Sequence, residues 1–212
     1  AALLLLVAGC GGPPQQWVAG WRTDNDMTTP RAGAAFLQIN GTIYAIGGID
    51  GKAFLRSSEF SRIGDDGKPG PWQLASSLRE ERGFFGAAYR NGYIYVVGGG
   101  NGPSGHHLLR SVERAAVLPS GDLGPWRAEK AQLVLPSRCA KLVAVGSDLY
   151  AVGGFSGVLM DTVQHATIQA DGHLGPWEIM PQKLTAPRYI DAVEKNRKGI
   201  YVVGGHSDTG GT

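Results

Sequence analysis

Cysteine is nearly absent from this sequence. Cys10 and Cys139 are the only two, far apart, and they supply neither a disulfide framework nor a zinc spacing. Charge is also scarce. Charged residues make up 18% of the chain and the formal net charge is +2. That balance, with no basic cluster, points away from nucleic acid. The one long apolar run, residues 1–8, is far too short to cross a bilayer as a helix. There is no phosphate loop, no paired-carboxylate motif and no nucleophile elbow. Metal binding needs three or four converging ligands. His106 and His107 are neighbours on one loop, where adjacent histidines rarely both ligate, and His206 alone does not complete a set, so no metal or cofactor is expected.

Glycine is what the sequence has in excess, 33 of 212 residues, and much of it recurs on a beat. The doublets Gly47-Gly48, Gly98-Gly99, Gly153-Gly154 and Gly204-Gly205 begin 51, 55 and 51 residues apart. Each closes a run of the type Ile-Tyr-x-x-Gly-Gly, as in Ile94-Tyr95-Val96-Val97-Gly98-Gly99. A second marker keeps the same period. Gly-Pro-Trp ends at Trp72, Trp126 and Trp177, and Trp21 stands 51 residues before the first of these. Self-similarity at this spacing means one supersecondary unit per repeat.

Each unit reads as four strands. Strand a covers residues 32–40, 83–90, 140–145 and 189–194, and strand b is the run into the glycine doublet. Asn40-Gly41, Asn91-Gly92 and Ser147-Asp148 are the tight a–b turns of the first three units. Strand c covers 56–63, 110–117 and 161–168. Asp66-Gly67, Ser120-Gly121 and Asp171-Gly172 turn it into strand d, which starts at the tryptophan. The tryptophans are expected to pack between units.

Four antiparallel strands per unit, a glycine doublet and a spaced tryptophan resemble the kelch repeat from Trp17 onward. The Asp-Gly-x-Leu-Gly-Pro-Trp form at residues 171–177 is similar to repeats of bacterial secreted kelch proteins. The resemblance implies an all-β fold: a kelch-type β-propeller of four-stranded antiparallel blades, usually about six or seven of them. Three blades are complete here and a fourth is partial. Residues 17–30 supply strand d alone, expected as the strand that closes the last blade. The first residue is Ala1 rather than Met, and both ends are expected to be cut, so the propeller of residues 17–212 is incomplete in this fragment.

The apolar run ends in Val7-Ala8-Gly9-Cys10. It fits the core of a secretory signal followed by a small-residue cleavage site, and it resembles the lipobox of bacterial lipoproteins. That resemblance implies a truncated signal peptide over 1–10 and lipidation of Cys10. The tether would be 11–16, Gly-Gly-Pro-Pro-Gln-Gln, flexible and then stiff. The expected location is the bacterial cell envelope, at an outer membrane facing the periplasm or the surface, or else secretion.

Up-and-down blades place b–c and d–a loops on one face. The b–c loops, residues 49–54, 100–107 and 155–159, differ in length and content, which is where a repeat protein carries function. The candidate binding face comprises Arg31, Arg82, Arg138 and Arg188 with Asn101, His106, His107, Phe155 and His206. An arginine in every unit has two readings: a cationic ring for an acidic ligand, as in some kelch domains, or framework pairing with blade carboxylates such as Glu59 and Glu113. The framework reading is favoured; if any arginine reaches a ligand, Arg82 and Arg138 are expected to. The expected function is a non-catalytic scaffold for a protein or glycan partner. The alternative is a secreted sugar-processing enzyme of isomerase or oxidase type, since some kelch propellers do such chemistry.

Overall fold

The computed structural model describes residues 23–190, 192–196 and 199–207. The residues of the expected lipobox, Cys10 among them, and Trp17 and Trp21 lie outside the described residues, as do the expected signal and tether and the first part of the expected closing strand. Residues 23–30 contain no strand.

Three antiparallel sheets of four strands follow one another along the chain. The first is β1 (Ala35–Ile39), β2 (Thr42–Ile46), β3 (Ser58–Arg62) and β4 (Gln73–Ala75). The second is β5 (Gly86–Arg90), β6 (Tyr93–Val97), β9 (Val112–Ala116) and β10 (Arg127–Ala128). Between β6 and β9 lies a small hairpin, β7 (Gly100–Asn101) and β8 (His107–Leu108), bridged by a single 3-10 turn over Pro103–Gly105. The third sheet is β11 (Lys141–Val145), β12 (Asp148–Val152), β13 (Val163–Thr167) and β14 (Glu178–Ile179). A two-stranded sheet, β15 (Ala192–Lys195) and β16 (Ile200–Val203), comes last. These are kelch-type propeller blades in up-and-down order, with the innermost strands β1, β5, β11 and β15 packed in succession.

The a–b turns hold the left-handed backbone that their residues favour: Asn40 and Gly41 have φ of 48° and 75°, Asn91 and Gly92 of 50° and 82°. The third turn falls one residue earlier than expected. It is Gly146-Ser147, with Gly146 at φ 61°, while Asp148 opens β12 and accepts a hydrogen bond from Thr167 Oγ1 at 2.7 Å. The doublet glycines are required by contact as well as by φ. A Cβ on Gly47 would stand 2.7 Å from the Arg82 carbonyl of the next blade, and one on Gly153 2.7 Å from that of Arg188.

The core lies between blades. One cluster joins the first two blades through Tyr44, Ile46, Phe60, Leu78, Ile94 and Trp126, all at most 4% exposed; another joins the second and third through Tyr95, Val97, Leu133, Leu149 and Trp177. Trp126 donates to the Ser76 carbonyl at 3.0 Å, and the half-buried Trp72 to that of Asn25 at 3.1 Å. Strand b also clamps the next blade. Tyr44 donates to the carbonyl of Gly121 and Tyr95 to that of Gly172, each at 2.8 Å.

Candidate functional site: the loop face

The arginine before strand a is built into the frame in the first two blades. Arg31 pairs with Glu59 at 2.5 Å with both side chains fully buried, and it donates to the carbonyls of Gly47 and Ser57. Arg82 repeats this with Glu113 at 2.9 Å, bonding the carbonyls of Gly98 and Ser111. The two carboxylates also cap backbone amides of the incoming loop: Glu59 accepts from Thr28 and Thr29, Glu113 from Arg79 and Glu80. Burial pushes the Glu59 carboxyl up, but its bonds to Arg31 and Thr28 and the guanidinium charge outweigh that and hold it below its ordinary value. Burial lowers the Arg82 guanidinium, opposed by the charges of Glu113 and Glu80. Arg31 and Arg82 are therefore withdrawn from the candidate binding face. Sealed under the loops, neither side chain reaches a ligand there.

The third blade departs from this plan. Arg31, Arg82 and Arg188 each stand 16 residues before the doublet glycine whose carbonyl they bond. In the third blade that place belongs to Ser137, which reaches the Gly153 carbonyl at 3.5 Å. Arg138 is one residue out of phase. The carboxylate is replaced as well: Gln164 sits where Glu59 and Glu113 sit, and its amide accepts from Leu135 N at 2.9 Å and donates to Leu135 O at 3.1 Å. Cation and anion have been exchanged together for a neutral pair, so no charge is left buried without its partner. Counting back from the doublet reveals the offset; the arginine alone does not.

The shift turns Arg138 outward. Its guanidinium lies 5.0 Å from the centre of the Phe155 ring and reaches the Gly105 carbonyl at 3.5 Å, linking the second and third b–c loops. Among the described residues no carboxylate pairs with it. Arg188 donates to Gly204 O at 2.9 Å.

The loops themselves divide into posts and tips. Asn101 is buried, donating to Glu81 O at 3.0 Å and bonded to His107 Nδ1 at 2.7 Å; it braces the hairpin and presents nothing to solvent. His106 and His107 are exposed, as is His206, whose ring meets Tyr189 edge-on at 5.4 Å. Asp50 closes the first loop by accepting from the amides of Lys52 and Ala53, both at 2.8 Å. Between the first and second loops opens a cavity of about 310 Å³ lined by Lys52, Phe54, Glu81, Pro103 and Ser104. The opposite face has a cavity of about 300 Å³ beside Tyr44, Arg62 and Tyr89. Among the described residues no three His, Cys, Asp or Glu side chains are grouped to hold a metal, and no helix is long and apolar enough to cross a membrane.

The model of the kelch motif matches residues 30–59 and 81–114, which span the first two Arg–Glu pairs. The chain carries kelch repeats. It is similar to spermatocyte protein spe-26 of Caenorhabditis elegans, 28% identical over 195 residues, covering 89% of this chain and 32% of that protein. It is also similar to Kelch repeat and BTB domain-containing protein 1 of horsepox virus, 26% identical, covering 86% of this chain and 30% of the viral protein. Human Kelch domain-containing protein 10 is 25% identical, with 82% and 39% covered. The chain spans about a third of the length of the curated relatives it matches. The solved structure of YjhT superposes with a TM-score of 0.66 at 16% identity, covering 83% of this chain and 59% of that one, a likeness of fold alone.

Proposed function

We propose that the kelch blades act as a non-catalytic scaffold whose b–c loop face binds a protein or glycan partner. The observation that carries this reading is Arg138. Its counterparts in the first two blades are sealed in ion pairs, whereas Arg138 stands between Phe155 and the second loop with its charge unspent. On the other b–c loops the exposed His106, His107, His206 and Lys52 offer polar groups on a rigid frame, a composition suited to recognition. The likeness to kelch repeat proteins supports a binding role.

The proposal extends to location. The apolar run into Val7-Ala8-Gly9-Cys10 supports export with lipid anchorage at Cys10 in a bacterial envelope. Several acyl chains on one cysteine would hold the protein firmly, since each buried methylene contributes about 0.8 kcal/mol. The decisive experiment is crosslinking on intact cells of the source to capture a partner, then affinity measurement with two variants. Arg138→Ala is expected to weaken binding about tenfold or more, the loss for a well-used charged contact. Asp66→Ala, on the opposite face, should leave it unchanged. The reverse pattern overturns the choice of face. Fatty-acid labelling that persists in Cys10→Ser overturns the anchor.

A further inference from the structure

Strands c and d of each blade place one pair of residues directly opposite at the same position. In the first blade Phe60 faces Gln73, and in the third His165 faces Glu178. In the second, Arg114 faces Arg127. Like charges directly opposite in an antiparallel pair are destabilising, so this one blade carries a cost the other two avoid. One nearby carboxylate offsets part of it. Glu129 pairs with Arg114 at 2.6 Å, but it is also shared with His173 at 3.1 Å and with the amide of Leu174. Arg127 and Arg79 are exposed and form no ion pair among the described residues.

These cations surround one open cavity of about 570 Å³, lined by Arg79, Arg114, Arg127, Ala128 and His173. Three blades supply its walls: Arg79 follows β4, Arg114 and Arg127 stand on β9 and β10, and His173 lies before Trp177 of the third. Arg114 is held in place, its guanidinium 4.7 Å from the centre of the Tyr93 ring and bonded to Asp171 O at 3.0 Å. A second cavity of about 220 Å³ shares Arg114 and Arg127 and adds Tyr93, Leu118 and Pro125. One compartment is walled by all three guanidinium groups; its neighbour shares two of them and adds apolar walls.

We propose that this cleft binds a phosphate or sulfate ester, with the oxyanion among the three guanidinium groups and the organic substituent against Tyr93 and Leu118. Guanidinium groups are matched to such oxyanions by their planar fork of donors, and guanidinium groups from two blades, with the His173 ring of the third beside them, suit a group with acceptor oxygens on several sides. The site is separate from the loop face and does not depend on it.

Calorimetry on the 212-residue chain tests this with inorganic phosphate, inorganic sulfate and phenyl phosphate, against sodium chloride at matched ionic strength. Saturable binding is expected, tighter for phenyl phosphate than for either inorganic ion; equal binding of ester and free ion assigns the cleft to the free oxyanion instead and overturns the role of Tyr93 and Leu118. Arg127→Gln and Arg79→Gln should each weaken binding about tenfold. In anion-free buffer Arg127→Gln should also raise the melting temperature, because the facing charge is gone. No binding beyond the chloride control, or equal binding by the wild type and both variants, overturns the proposal.

Discussion

At the scale of single residues, the instructive position is the one before strand a. The sequence shows an arginine near it in every unit, and both the ligand-ring and framework readings are compatible with that pattern. Geometry separates them: Arg31 and Arg82 are buried with Glu59 and Glu113, while Arg138 is displaced by one residue and Ser137–Gln164 fills the vacated place. The third blade is thus a natural double substitution, and it predicts a non-additive result. Glu113→Gln alone leaves the Arg82 charge buried without its main partner and should cost about 3–5 kcal/mol. Adding Arg82→Ser reproduces the third blade and should recover most of that loss. Urea denaturation of both single variants and the double variant measures the coupling; two losses that simply add would show that the pair contributes nothing as a pair. The framework role was legible in the sequence because Glu59 and Glu113 recur in phase with the arginines. The escape of Arg138 was hidden because the eye registers an arginine rather than its distance from the doublet.

At the scale of elements, strand boundaries were readable because each carries its own chemistry: Asn-Gly for the a–b turn, the doublet for the end of strand b, Gly-Pro-Trp for the start of strand d. What the sequence could not show is how strand b of one blade grips the next. Tyr44 and Tyr95 look like ordinary core residues in an apolar run, yet each hydroxyl bonds the c–d turn of the following blade. Burial pushes the Tyr95 phenol from 10.0 up to about 12. Between those two values the folded chain keeps the proton and the unfolded chain loses it, so stability falls as pH rises through that window. Tyr95→Phe removes both the bond and the titration. At neutral pH it should cost about 0.5–1.5 kcal/mol. Between about pH 10 and 12 its stability should fall less steeply than that of the wild type, without becoming flat, since Tyr44 and Tyr150 are raised by burial too. Parallel slopes for the two proteins would place the alkaline loss elsewhere.

At the scale of the whole molecule, every blade has two faces and each needs a cover. The second blade has both, the two core clusters lying on either side of it. At one end, Phe36 and Leu74 lie on a single cross-strand row of the first sheet and are 54% and 66% exposed. At the other, Tyr201 and Val203 of β16 are 48% and 66% exposed. The residues equivalent to Phe36 and Leu74 in the second blade, Ala87 and Ala128, are smaller, and the first two blades meet through the buried cluster of Tyr44, Ile46, Leu78, Ile94 and Trp126, against which Ala87 packs. The two ends therefore present different apolar surfaces, and a contact between them is heterologous, the kind that extends rather than closes into a pair. A polypeptide of these 212 residues is expected to associate end to end, with a sedimentation coefficient that rises steadily with concentration. Replacing Tyr201 by Lys and Val203 by Asp should suppress that rise without altering the melting of the inner blades, because neither side chain belongs to a core cluster. A monomer that stays monomeric across the concentration range, or association that survives both substitutions, would mean that the exposed faces are not what brings the chains together.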